Sequence, residues 1–331
     1  MNRNMTKSGR EILKVSNLKT YFFTRSGIVK AVDGVSFSLR EGETVGLVGE
    51  SGCGKSMTAL SILRLVPQPA GRIVEGKILL DGENLLEKSE REMRRIRGKK
   101  ISMILQDPMS SLNPVYTVGD QVGETIRIHQ KLKGARLVTK IKEALHLVRI
   151  PSPEVRMRDY PHQMSGGMRQ RVIGAIALSC QPRVLIADEP TTSLDVTIQA
   201  QYLTLLKEVQ QAMNVSIIFI THDFSVVARM CDVVLVMYAG KIVESARVRE
   251  LFNNPIHPYT IALLRSVPRL EAKIEKLSAI NGQPPPLLNP PDGCRFVPRC
   301  PESITSCQHT DPPMVAVGQN HHVSCWRVKQ L

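Results

Sequence analysis

The chain has 331 residues, more than one ordinary domain holds, so one large domain with appendages or two domains is expected. Its 42% hydrophobic and 4% aromatic content indicates a folded, aliphatic protein and excludes disorder, while the formal charge of +14 favours an anionic partner: nucleotide, nucleic acid or an acidic membrane face. No run approaches the ~18 apolar residues of a membrane span and the opening MNRNMTKSGREIL has no apolar signal core, so a cytoplasmic protein is expected. In that compartment seven cysteines argue for thiols or metal ligands more than for disulfides.

In chain order, ILKVSNLKTYFF and VDGVSFSLREGETVGLVG mix β-branched and aromatic residues with turn signals and predict strands, and a helix starts near Lys55. The basic tracts Lys88 to Lys100 and Lys131 to Lys142 read as solvated helix faces, because acids or aliphatics are interspersed. From about Asp107 to Gln163 the apolar spacing turns helical, which predicts a helical insertion. RVIGAIALSC then predicts a helix, RVLIADEP and VSIIFITHD predict buried strands, and a helix separates them around Ile198 to Met213. This alternation indicates an α/β fold. After about Pro255 the composition shifts, and NGQPPPLLNPPDG is either a linker or an extended brace.

GESGCGKS, Gly49 to Ser56, fits the phosphate-loop pattern between a strand and a helix. Backbone N–H groups of such a loop curl around phosphates, Lys55 reaches the terminal phosphates and Ser56 can bind Mg²⁺. VLIADEP supplies Asp188 for the metal and Glu189 to polarise an attacking water. QMSGGMRQR, Gln163 to Arg171, places a Ser-Gly-Gly turn at a helix start, where backbone amides can meet a second phosphate group.

The ordered set GESGCGKS, Gln106 in ILQDP, MSGGMRQR, VLIADEP, SLD (Ser193 to Asp195) and THD resembles the ATP-binding-cassette (ABC) ATPases over about residues 11 to 250. The resemblance implies a P-loop ABC ATPase core with a helical insertion, at about 107–165. It implies that two cassettes pair head to tail, so that the phosphate loop of one (Gly49, Ser51, Gly52, Cys53, Gly54, Lys55, Ser56) and Ser165, Gly166 and Gly167 of the other hold each ATP with Mg²⁺. It further implies that Phe22, or its neighbour Tyr21, stacks on adenine, that Gln106 senses the γ-phosphate and Mg²⁺ beside Ser56 and Asp188, that Asp195 couples the two sites and that His222 contacts the γ-phosphate. Met164 and Met168 depart from the family's common Leu and Gln, and Cys53 stands where Ser is frequent, so thiol modification there is expected to block ATP.

NNPIHPYTIALLRSVP, NGQPPPL, the cysteines of CRFVPRCPESITSC and HHVSCW resemble the C-terminal extension of oligopeptide, dipeptide and nickel importer ATPases, as does QDPMSSLNPVYTVGDQ. A domain boundary near 255/256 is expected, with the ATPase domain before it and the extension after. The resemblance implies a peripheral protein at the cytoplasmic face of the inner membrane, working with two permease subunits, a second ATPase subunit and an external substrate-binding protein. Peptide is the expected cargo, with nickel or another small solute as the alternative. A nucleic-acid-bound or iron–sulfur-assembly ATPase is the more distant reading, and the lack of a stacking platform argues against nucleic acid. Cys294, Cys300, Cys307 and Cys325 lie in a Pro-rich segment without a hydrophobic core of its own, which a metal centre could staple: a [4Fe–4S] cluster, with Zn²⁺ or plain thiols as alternatives and a site including His309, His321 or His322 less favoured. Cys180 and Cys231 sit in apolar runs and read as core.

Overall fold

The computed structural model describes residues 9–106, 111–192, 194–266 and 280–328. Ser193 and residues 107–110, on which parts of the expected SLD and QDPMSSLNP motifs fall, lie outside them. Strands β1 (Glu11–Thr24), β2 (Gly27–Arg40) and β3 (Thr44–Val48) lead to helix α1 (Lys55–Ile62). Next come β4 (Gly71–Leu80), β5 (Glu83–Asn84), α2 (Glu90–Ile96) and β6 (Ile101–Ile104). The expected insertion contains α3 (Val118–Gln130), α4 (Gly134–Leu147) and α5 (Pro153–Arg156). The core resumes with α6 (Gly166–Leu178), β7 (Val184–Asp188), α7 (Val196–Met213), β8 (Ser216–Thr221) and α8 (Phe224–Met230). It closes with β9 (Val233–Tyr238), β10 (Lys241–Arg247), α9 (Val248–Asn253) and α10 (Pro258–Arg265). The C-terminal segment adds α11 (Ser306–His309) and the hairpin β11 (Met314–Gly318) and β12 (His321–Ser324).

Local chemistry explains the boundaries. Helices α2 and α3 each start at a capping box, Ser89 with Glu92 and Thr117 with Asp120, which satisfies N–H groups that a helix start leaves open. Val118, Val122 and Ile126 recur every four residues and form the buried stripe of α3. The basic tracts do form solvated ion pairs, Arg97 with Glu90 and Lys140 with Glu143, both at 2.6 Å. Such exposed pairs stabilise by less than about 1 kcal/mol each.

The described chain forms two compact units. One takes the start of the chain to Ile12, Leu39–Glu43 and Glu87–Phe219; the other takes Leu13–Ser38, Thr44–Leu86 and the chain from Ile220 onward. In the first, β6 runs parallel to β7, Ile101 facing Val184, and all five residues of β7 are buried. A strand with both faces covered must be apolar throughout, which is why VLIAD reads as a continuous run. In the second unit β2, β1, β4 and β5 form an antiparallel sheet in that order. A second sheet has the order β11-β12-β10-β9-β3, with β3 parallel to β9 and β9 turning back into β10 through Ala239 and Gly240, both at positive φ.

The Pro-rich segment is a brace. Lys30 N–H donates to the Leu287 carbonyl at 2.9 Å and Asn289 N–H to the Ile28 carbonyl at 3.2 Å, so the segment lies along the edge of β2. The cysteine segment is not without a core, in contrast to the expectation from sequence: Phe296 is 1% exposed and packs edge-on against Tyr238 at 5.2 Å and against Tyr259 at 5.4 Å. Its core is shared with β9 and α10, and no count of apolar residues inside the segment could reveal that.

Candidate functional site

The phosphate loop follows the buried β3, as the strand-loop-helix pattern predicts. Gly49 and Gly54 have φ of 152° and 108°, and a Cβ would lie 2.1 Å from the Met237 carbonyl oxygen at the first and 2.2 Å from that of Ala31 at the second. Only glycine fits either place. Lys55 is 5% exposed, and its amine donates to the carbonyls of Gly49 at 2.7 Å and Glu50 at 2.9 Å. Ser51, Gly52 and Ser56 are exposed. Cys53 is buried, and burial raises its thiol pKa although the Lys55 charge opposes the shift. A covered, protonated thiol reacts poorly.

On the same unit, Phe22 is half-buried on β1 opposite Gly71, where a Cβ would crowd the ring edge at 2.8 Å. Tyr21 is committed elsewhere: its hydroxyl donates to Asp33 at 2.5 Å, and burial followed by that bond pushes its pKa up. His222 is exposed just after β8.

In the other unit the acids stand at the end of β7. Asp188 is 4% exposed, and Glu189 occupies the left-handed region at φ 46°. The Glu189 carboxylate accepts from the Gln106 amide at 3.1 Å and from the Thr192 hydroxyl at 3.0 Å, so two of the expected site residues meet. Ser165 caps α6 by accepting from Met168 N–H at 3.3 Å, while Met164 is 4% exposed and anchors the turn. Ser165 and Gly166 are exposed, and a Cβ at Gly167 would lie 2.8 Å from Ile198. Asp195 caps α7 through Ile198 N–H at 3.0 Å.

Cys294, Cys300, Cys307 and Cys325 line one cavity, with Phe296 and Trp326. Burial, then the neighbouring thiols, raises Cys294 to about 11, and burial raises Cys300 and Cys325 as well. Among the described residues, however, no group of three His, Cys, Asp or Glu is placed to hold a metal ion, so the expected ligation is not seen. Of the histidine alternatives, His321 is bonded to the buried Glu244 at 2.8 Å. Cys231 is core, beneath Gly46, while Cys180 is only half-buried.

The sequence missed the contacts around Glu50: Tyr259 and Arg299 come from far along the chain, and nothing in their local pattern marks them. Among the described residues no helix is long and apolar enough to cross a membrane.

Comparison with known proteins agrees with this geometry. Residues 32–192 match the family described as ABC transporter, and residues 243–307 match the oligopeptide/dipeptide transporter C-terminal region. The chain is 50% identical over 321 residues to the probable peptide ABC transporter ATP-binding protein y4tR of Sinorhizobium fredii, covering 97% of this chain and 96% of that one. It is 50% identical over 316 residues to the dipeptide transport ATP-binding protein DppD of Bacillus subtilis, covering 96% and 94%. A dimeric post-hydrolysis structure of the ATP-binding cassette MJ0796 bound to ADP and Pi superposes with a TM-score of 0.65 at 25% identity, over 72% of this chain and 99% of that one. The chain therefore belongs to the ABC ATPases, in the family of oligopeptide/dipeptide transporter ATP-binding subunits.

Proposed function

We propose that this chain is the ATP-hydrolysing subunit of an ABC importer for di- and oligopeptides, at the cytoplasmic face of the membrane. The observation that carries it is the union in one chain of a formed phosphate loop and the C-terminal region of oligopeptide/dipeptide transporters. Its partners are two permease subunits, a second ATPase subunit and an external binding protein. Exposed Val115 and Tyr116, stapled to α3 through Gln121, offer apolar surface to a permease from within the helical insertion. ATP hydrolysis stimulated by peptide in vesicles holding the whole complex tests the reading. Stimulation by nickel instead would favour the small-solute alternative.

The roles follow from chemistry. The N–H groups of Gly49 to Ser56 and the Lys55 amine bind the phosphates and stabilise charge that develops on them. Ser56, Asp188 and Gln106 would hold Mg²⁺, which would supply neutralisation of the phosphate charge. Glu189 takes the proton of the attacking water, and the hydrogen bonds from Gln106 and Thr192 fix its carboxylate. His222 orients the γ-phosphate, and Phe22 stacks on adenine, a role supported by the engagement of Tyr21 with Asp33. Ser165 to Gly167 serve the partner cassette's nucleotide, and Asp195 links the two sites.

The ATPase domain is assigned to 1–255, with the insertion at about 107–165, and the extension to 256–331. For that extension we favour a [4Fe–4S] cluster on Cys294, Cys300, Cys307 and Cys325. Four thiols converging on one cavity support it.

A further inference from the structure

Glu50 lies inside the phosphate loop and is held at three of its groups. Its N–H donates to the Tyr259 hydroxyl at 2.9 Å and its carbonyl accepts from Lys55 at 2.9 Å. Its carboxylate receives both terminal nitrogens of Arg299, at 2.7 and 2.9 Å. The Arg299 side chain is 3% exposed, lies 5.9 Å from the Tyr238 ring centroid and donates through Nε to the Asn281 carbonyl at 3.0 Å. A two-pronged guanidinium–carboxylate pair whose arginine is shielded from water, the Glu50 side chain being 26% exposed, fixes orientation as well as charge.

Arg295 makes a parallel connection. Its side chain is 5% exposed and donates to the Ala239 carbonyl and the Asp33 carboxylate, and Asp33 holds the Tyr21 hydroxyl next to Phe22. The two arginines of CRFVPRC each adjoin a cysteine of the cavity. One reaches the phosphate loop, and the other reaches Asp33 on β2, which in turn holds Tyr21 beside the adenine-stacking residue on β1.

We propose that Arg299 is a positioning residue for the phosphate loop, acting through Glu50, and that through it the C-terminal extension sets the affinity of the chain for MgATP. This rests on the reading of Gly49 to Ser56 as the ATP phosphate site. The physical reason is twofold. Loop N–H groups stabilise phosphate oxygens only when they already point at them, and an anchored Glu50 keeps that aim. Without Arg299 the loop would also carry an unpaired carboxylate close to the anionic phosphates, and like charges in a partly dry site repel strongly.

The test is the dissociation constant for MgATP, measured on the full chain with a fluorescent ATP analogue and competition by ATP, together with the thermal midpoint. Arg299→Ala raises the constant about tenfold, as expected for loss of one partner of a shielded ion pair. Arg299→Lys recovers part of the loss, because an ammonium neutralises Glu50 without clamping both oxygens. Adding Arg299→Ala to Glu50→Gln changes the constant by less than about twofold relative to Glu50→Gln alone, since residues acting through one contact are not additive. An Arg299→Ala constant equal to wild type, or a full additional loss in the double variant, overturns the proposal. If Arg299→Ala fails to fold, Arg299→Lys decides: weaker MgATP binding at an unchanged midpoint supports it, and unchanged binding overturns it. Lys55→Ala separates this inference from its premise. Wild type that does not bind MgATP, or Lys55→Ala that binds like wild type, removes the phosphate-site reading itself.

Discussion

The carboxylate of Glu189 and the amide of Gln106 lie in hydrogen-bond contact, Oε2 to Nε2 3.1 Å, although 83 residues separate them. Gln106 follows β6 and Glu189 follows β7, and the parallel pairing of those strands brings their C-terminal ends side by side. A left-handed φ of 46° at Glu189 turns the chain sharply after the strand. Non-glycine residues held there cost of order 1–3 kcal/mol and cluster at functional sites.

Glu189→Gln should therefore keep MgATP affinity while hydrolysis falls by about 10²–10⁴, the usual worth of a general base. Size-exclusion chromatography with ATP should show the variant accumulating as a dimer. Turnover equal to wild type would exclude Glu189 as the base.

Gly49→Ala and Gly54→Ala should each abolish MgATP binding. At both positions the added methyl meets a backbone carbonyl oxygen, at 2.1 and 2.2 Å, which cannot swing away as a side-chain end can. Gly52→Ala meets nothing within 4 Å and differs only in its positive φ of 77°. It should keep measurable binding at a cost of roughly 1–3 kcal/mol in stability. Nucleotide titration of the three variants, with thermal midpoints, checks the order.

Iron, acid-labile sulfide and zinc should be measured on anaerobically purified protein, with an absorption spectrum. Iron and sulfide near four per chain, lost in Cys300→Ser, are expected for a cluster held by the four cysteines that line the cavity. Zinc alone would replace that reading with a structural staple, and no metal would leave buried thiols.

His257 makes stability depend on pH. It is 1% exposed, its Nδ1 accepts from Tyr259 N–H at 3.0 Å, and burial lowers its pKa from 6.5 to about 4. An unfolded chain takes up this proton below pH 6.5, whereas the folded chain resists until about 4. The contribution is thus complete above 6.5 and fades as the pH falls to 4, a loss of roughly 3 kcal/mol across the window. His257→Asn retains an acceptor for the Tyr259 N–H but does not titrate. Its thermal midpoint should fall less than that of wild type between pH 7 and pH 4.5.

The ATPase core was legible because its signals are local. A phosphate loop is eight consecutive residues whose glycines and lysine state their own requirement, and β7 is a run of buried residues ending in Asp188, with Glu189 directly after it. Capping boxes and the stripe of α3 are equally short-range. The sequence could also count four cysteines in the tail, though their spacing says nothing of where the thiols meet.

By itself, then, the sequence determined the nucleotide chemistry, the α/β alternation and the family. Only the tertiary structure decided that the Pro-rich segment lies along β2, that Phe296 shares a core with Tyr238 and Tyr259, and that Arg299 grips Glu50 from 249 residues away. The physical reason is one of range. Hydrophobic period, turn chemistry and capping act over a few residues and leave a written pattern, whereas an arginine's partner is set by which surfaces the folded chain brings together.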